Sequence, residues 1–461
     1  MFHAILNRES GTESPSLLRK AQSSRFFLTL DLCKQPTLSC SYFRSPITSI
    51  DIERIDGRYL LAGSTEGKVC VYDLEQNRTL RLEPIAKKKE ATHLISSCKW
   101  YQNDTGAFVT GGNEGKVNVF DTNEMQVVYT FDMSKKVFAV EPGNSLETFH
   151  LVACATAGQH VRLCDLRSGG NSHILMGHSS GVISLKWSPR DPHVLVTGSS
   201  DHRILLWDIR RSNFMLSFDQ YKTEVPHSVK AKVGEELSES EEEEVEEEKV
   251  FFIGEKSSKS KRASKTFYGG RQYNPLQGGL SNDDGNRGGS NTYNRNKSKE
   301  ISAHDGDVNG LCFSTDGLFL FSTGTDQTVR MWNTDNGKNR VFNVTGISNA
   351  AGTSNLGMDV SFEGDLLFHP NHNSISAYRI EKASEAFVLN AHFERVNKVV
   401  CHPFKEELYS CSNDQTICRW TPSSLKGPLL STADLQVLIR RNEADQGNLL
   451  EVEREDEWSE D

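Results

Sequence analysis

One short pattern recurs seven times along the 461 residues and constrains the fold more than any other feature. It is clearest as ILLWD at 204–208. It returns as VCVYD (69–73), VNVFD (117–121), VRLCD (161–165), VRMWN (329–333), ISAYR (375–379) and ICRWT (417–421). Successive last residues lie 48, 44, 43, 125, 46 and 42 positions apart. All but one interval fit a repeat of about 40–45 residues, the size of one four-stranded β-unit. Such a unit cannot bury both faces of its sheet, so neighbours must stack. ILLW is apolar at successive positions, as a strand covered on both faces should be.

A second marker sits six residues before the aromatic residue or cysteine of each segment: Glu66, Glu114, Gly158, Asp201, Asp326, His372 and Asp414. Three units add a histidine 22 or 23 residues earlier still: His178, His304 and His392. Around these lie turn-forming strings such as TGSSD and STGTD, and upstream come strand-like runs such as GVISLKWSP and DVNGLCFST. Several short strands per unit, joined by Gly/Asp/Asn turns, are an all-β signature. The alternating run RFFLTLDL (25–32) precedes the first unit, and it can supply the missing outer strand of the last one. That closure would remove the exposed edges of an open array.

At this constant internal spacing the seven units resemble the WD40 family, most clearly in units four, five and seven. The resemblance implies an all-β, seven-bladed β-propeller with a short N-terminal helical segment. It also bears on the one arrangement that looks catalytic. His178, Thr197, Asp201 and Trp207 contain a nucleophile, a base and an acid, yet His304, Asp326 and Trp332 repeat the set, as do His392, Asp414 and Trp420. In this family such sets are structural hydrogen-bond chains that pin the blade turns. An enzyme needs one site with an oxyanion hole, not three copies. There is no GxxxxGK[ST] phosphate loop and no HExxH motif. No catalytic residue, metal or cofactor is expected.

Composition bounds the remainder. No run approaches about 18 apolar residues, so none is long enough to span a membrane. MFHAILNRESGTESPS lacks the basic start and apolar core of a signal peptide. The ten cysteines form no CxxC pair, and Cys70, Cys154, Cys164 and Cys418 fall inside strand patterns. They read as reduced, buried thiols of an intracellular protein. A net charge of −10 leaves no overall basic footprint for nucleic acid, and no direct binding to it is expected. The long interval holds GEELSESEEEEVEEEK, KSSKSKRASK and a Gly/Asn/Arg-rich stretch. Such composition predicts a disordered insert over 221–302, between blades 1–4 (25–220) and blades 5–7 (303–425). The acidic run reads either as a solvated linker or as a tail phosphorylated at Ser238 and Ser240; the basic run matches a nuclear localisation signal. Residues 426–461 read as an acidic, flexible tail.

Two arginines stand out. ILLWDIRR places Arg210 and Arg211 just beyond the third strand of blade 4, on the rim opposite the histidines, and CDLRSG places Arg167 likewise in blade 3. Each can cap its own turn, pair with a local aspartate, or grip a partner's carboxylates and carbonyls through its planar fork. Within 1–24, Ser14-Pro15 before SLLRKAQSSR reads as an N-cap and first-turn proline of a helix carrying Leu17 and Leu18, with MFHAILN ahead of it. This helix–loop–helix can pack on its own propeller or enter another protein.

WD-x-R is similar to the motif of substrate receptors in cullin-4 RING ubiquitin ligases, and longer strings such as LCDLRSG, SLKWSPRD and AHDGDVNGLCFSTDG are similar to the excision-repair receptors among them. That resemblance implies a nuclear, non-catalytic receptor for transcription-coupled repair. Arg167, Arg210, Arg211, Leu17 and Leu18 would hold the adaptor, damaged-DNA-binding protein 1. Further implied partners are the Cockayne syndrome group B ATPase, UV-stimulated scaffold protein A and stalled RNA polymerase II. The alternative is a WD40 scaffold outside ubiquitin chemistry, in chromatin or ribonucleoprotein assembly.

Overall fold

A computed structural model describes residues 30–32, 43–75, 86–89, 94–211, 213–223, 301–349 and 354–422. All fall in one compact unit drawn from residues 1–224 and 301–461; the second unit, 225–300, lies outside the described residues. So do the segments carrying Leu17, Leu18, Ser238 and Ser240, the stretch 1–24 expected to form N-terminal helices, and residues 426–461. Among the described residues there is no helix, and the strands form seven sheets.

Blade 4 shows the plan. Val182–Trp187, Val194–Ser199, Ile204–Asp208 and Phe214–Ser217 pair antiparallel in chain order. The third strand, ILLWD, is buried throughout, whereas the outermost, FMLS, is exposed or half-buried. Apolar content thus falls from axis to periphery, because only the inner strands have neighbouring blades on both faces. Inner strands of successive blades touch all round the ring, including that of blade 7 against blade 1. In six blades the inner strand carries a β-bulge after its first residue, which bends and twists it at the crowded axis.

Two ends follow from this connectivity. First and third strands finish at one rim, here the bottom; the loops between blades and between second and third strands form the top. The top turns share a left-handed residue directly after the acidic marker: Gly67, Gly115, His202, Gln327 and Gln415, with φ between 61 and 82°. At Gly115 glycine is demanded, since a Cβ would lie 2.7 Å from the Lys135 carbonyl oxygen.

The ring closes through Leu30–Leu32, antiparallel to Ile417–Pro422 as the outer strand of blade 7, with Leu32 opposite Trp420. Leu30 joins the core between blades 6 and 7. Blade 5 differs from expectation. After blade 4 the chain continues as Asp219–Thr223, a fifth strand beside Lys338–Thr345. Gln220 anchors it: its backbone N–H donates to the Ser302 carbonyl (3.0 Å), its amide donates to Ser302 Oγ (3.0 Å) and Asp305 Oδ1 (2.8 Å), and Arg330 donates to its Oε1. The two stems of the insert are thereby tied together at the top rim.

Candidate functional site

The top rim holds the three histidine sets. In blade 4, His178 Nδ1 lies 2.9 Å from Asp201 Oδ2 and its Nε2 2.8 Å from Thr197 Oγ1, which also accepts the Trp207 indole N–H at 2.8 Å. In blade 5, His304 bridges Asp326 (3.0 Å) and Ser322 (2.6 Å), and Trp332 donates to Ser322. In blade 7, His392 bridges Asp414 (2.9 Å) and Ser410 (2.7 Å), and Trp420 donates to Ser410. Each aspartate also accepts backbone N–H groups from both top loops: Ser179 and Arg203, Asp305 and Thr328, Phe393 and Thr416. Burial would raise the Asp201 carboxyl, but its hydrogen bonds from His178 and the backbone outweigh this and hold it below the usual range. Thr197, Ser322 and Ser410 are fully buried, so their hydroxyls meet no substrate. The chemistry available here is the joining of loops.

The sets of blades 5 and 7 shift their histidines in opposite directions. Burial pulls both His304 and His392 down. In blade 5 the nearby Arg330 adds to it, and His304 stays below its ordinary value despite Asp326. In blade 7 the corresponding position is Cys418, its Sγ 3.9 Å from His392, and Asp414 and Cys418 together push His392 up to about 9. Burial dominates at His304, whereas at His392 the hydrogen bonds to Asp414 and Cys418 outweigh it.

The bottom rim carries the arginines singled out in the sequence. Arg210 forms a two-point ion pair with its own Asp208, Nε to Oδ1 and Nη2 to Oδ2 both at 2.9 Å. Arg211 Nε stands 3.7 Å from the other side of that carboxylate. Arg210 leads the set of groups holding Asp208 below its ordinary pKa. Asp208 is buried, yet the Arg210 and Arg211 side chains are 58% and 67% exposed. A guanidinium so held keeps its remaining N–H groups turned outward and loses little freedom on meeting a partner. Arg167 repeats the backbone turn of Arg210, its N–H on Asp165 Oδ1, but its side chain lies over the Phe149 ring at 5.4 Å. The two arginines therefore share a rim and not a partner.

Sequence reasoning missed the apolar component of this rim. Loops that follow the inner strands expose Ile55, Leu146, Phe149, Leu318, Phe362 and Phe404. The usable signal is a large apolar residue shortly after an inner strand, where the other loop residues are polar. Arg58 was missed too; it reaches Asp73 at 2.7 Å, the blade 1 equivalent of Asp208. The eight described cysteines are all buried free thiols.

Comparison with known proteins fits this geometry. The family described as WD domain, G-beta repeat matches residues 169–208, 295–333 and 384–421, the three repeats with complete histidine sets. The chain is 28% identical to WD repeat-containing protein ATCSA-1 of Arabidopsis thaliana over 449 residues, 92% of this chain and 95% of that one. It is 29% identical to Radiation-sensitive protein 28 of Saccharomyces cerevisiae over 27% of this chain and 25% of that one. With Histone acetyltransferase type B subunit 2 of Candida glabrata the identity is 23% over 39% of this chain and 42% of that one. Seven stacked sheets, a closing N-terminal strand and these matched repeats make the chain a seven-bladed β-propeller with WD40 repeats.

Proposed function

We propose that the chain is a substrate-recognition subunit of a cullin-4 RING ubiquitin ligase, of the Cockayne syndrome group A type, acting in the nucleus in transcription-coupled excision repair. The observation that carries this is the pair of WD-x-R-type turns on adjacent blades, with Arg167 and Arg210 exposed on one rim and Arg210 pre-oriented by Asp208. The similarity to ATCSA-1 along nearly all of both chains supports it. The propeller itself performs no chemistry. It holds damaged-DNA-binding protein 1 at its bottom rim and leaves other surfaces for RNA polymerase II, the Cockayne syndrome group B ATPase and UV-stimulated scaffold protein A. Catalysis by the assembly is then proximity: target lysines are kept close to a ubiquitin-loaded enzyme.

Co-purification of the adaptor with wild type, Arg210→Glu and a truncation lacking residues 1–22 tests the proposal, with circular dichroism as the fold control. Retention by wild type and loss in both variants supports it. A wild-type chain that never retains adaptor sinks it. In that case the second reading, a chromatin scaffold without ligase chemistry, gains, in line with the partial similarity to Histone acetyltransferase type B subunit 2.

A further inference from the structure

The inner strands enclose an axial cavity of about 430 Å³ whose walls run down to the bottom loops. Blades 1 to 4 place Asp51, Lys99, Glu141 and Lys186 at one register position of these strands, alternating in sign. They neutralise one another: Lys99 lies 2.7 Å from Asp51 and 3.8 Å from Glu141, and Lys186 2.9 Å from Glu141. Blade 6 adds Asp359, whose carboxylate accepts the backbone N–H groups of Cys401 (2.9 Å) and Val360 (3.0 Å).

Two residues earlier in the inner strand, blades 1 to 5 carry only Ser49, Ser97, Ala139, Ser184 and Gly310, but blade 7 carries Lys398. Its stem packs on Gly357, where a Cβ would fall 2.0 Å from Lys398 Cγ, so glycine there makes room for it. The ammonium donates to Ser49 Oγ at 3.3 Å and has no carboxylate within 4.0 Å among the described residues. Four cations line the cavity, these three lysines and Arg54 at the mouth, against three carboxylates, leaving one positive charge unbalanced. The mouth is apolar: Phe362 and Phe404 line it and are 53% and 56% exposed.

We propose that this axial cavity binds a single carboxylate carried on an apolar body, the carboxylate on Lys398 and the body toward Phe362 and Phe404. A desolvated ammonium without a counter-charge is costly, and a charge-assisted hydrogen bond from a bound carboxylate recovers that cost. A monoanion restores neutrality, whereas a dianion would overshoot it beside Asp51, Glu141 and Asp359. The carboxylate can belong to a free small acid or to a peptide's acidic side chain. The site opens on the same rim as the proposed adaptor surface, but its test uses the chain alone and does not rest on the receptor proposal.

Calorimetric titration of the full chain decides it, with sodium benzoate as the free acid, acetyl-Phe-Glu-Phe-amide as the side-chain probe, and benzyl alcohol and sodium sulfate as neutral and dianionic controls. Saturable binding of benzoate or of the peptide is expected, weakened at least tenfold by Lys398→Met and by Lys398→Gln. Lys116→Met, outside the cavity, should leave it unchanged, and the probe that binds identifies the source of the carboxylate. The proposal is overturned if neither probe binds more tightly than benzyl alcohol, if sulfate outcompetes both, or if binding survives both Lys398 variants that circular dichroism shows to be folded.

Discussion

Arg210 and Asp208 form a two-point ion pair in which the carboxylate is buried and the guanidinium faces solvent. An arginine placed this way contributes to binding and hardly to folding, because exposed pairs are screened and entropically costly to hold. Arg210→Ala should therefore leave the thermal midpoint unchanged while weakening adaptor retention. Asp208→Ala should weaken retention as well, by freeing the arginine. A midpoint that falls with Arg210→Ala would move this residue from the docking surface to the scaffold.

The aspartates of the top rim should behave in the opposite way. Asp201 joins two loops through His178, Ser179 and Arg203. Asp201→Ala should cost about 2–4 kcal/mol in urea denaturation, because it leaves the buried His178 ring without its partner and frees two loop N–H groups. Adaptor retention by the folded fraction should persist.

His392 and His304 should titrate apart, despite occupying the same motif. His392 is pushed up to about 9, above the unfolded value near 6.5. Protonation thus favours the folded state: the contribution is complete below about pH 6.5 and disappears as pH rises through 9. The stability gap between wild type and His392→Gln should shrink between pH 7 and 10. His304, lowered, should give no such gap there. Equal pH dependence at both sites would refute the opposite shifts of His304 and His392.

Backbone strain at the top turns gives a paired prediction. Gly115 has φ +82° and abuts the Lys135 backbone, so Gly115→Ala should cost about 2 kcal/mol. Gln415 holds φ +67° with a side chain, so Gln415→Gly should stabilise by about 0.5–1 kcal/mol. Both are read from denaturant midpoints.

Closure is tested by truncation. Removing residues 1–22 leaves Leu30–Leu32 on blade 7, and the melting transition should stay cooperative. Removing residues 1–32 strips that strand and the buried Leu30, and should lower the midpoint markedly.

The repeat spacing determined the number of blades and the three histidine sets, and the alternating run at 25–32 pointed to the closing strand. Each of these depends on local periodicity: a fixed interval puts His, Asp and Trp into one blade whatever surrounds it. Tertiary structure decided how the rim arginines turn, because Arg167 meets Phe149 from another loop while Arg210 meets only its own aspartate. It also decided the fifth strand on blade 5, which depends on Gln220 meeting Ser302 and Asp305 across the insert. The axial cavity is the clearest case. Asn397 donates to the Ile47 carbonyl at 2.7 Å across 350 residues of chain, and Lys398 beside it faces groups drawn from several blades. Those neighbours become adjacent only when the ring shuts, so no interval along the chain encodes the charge they leave unbalanced.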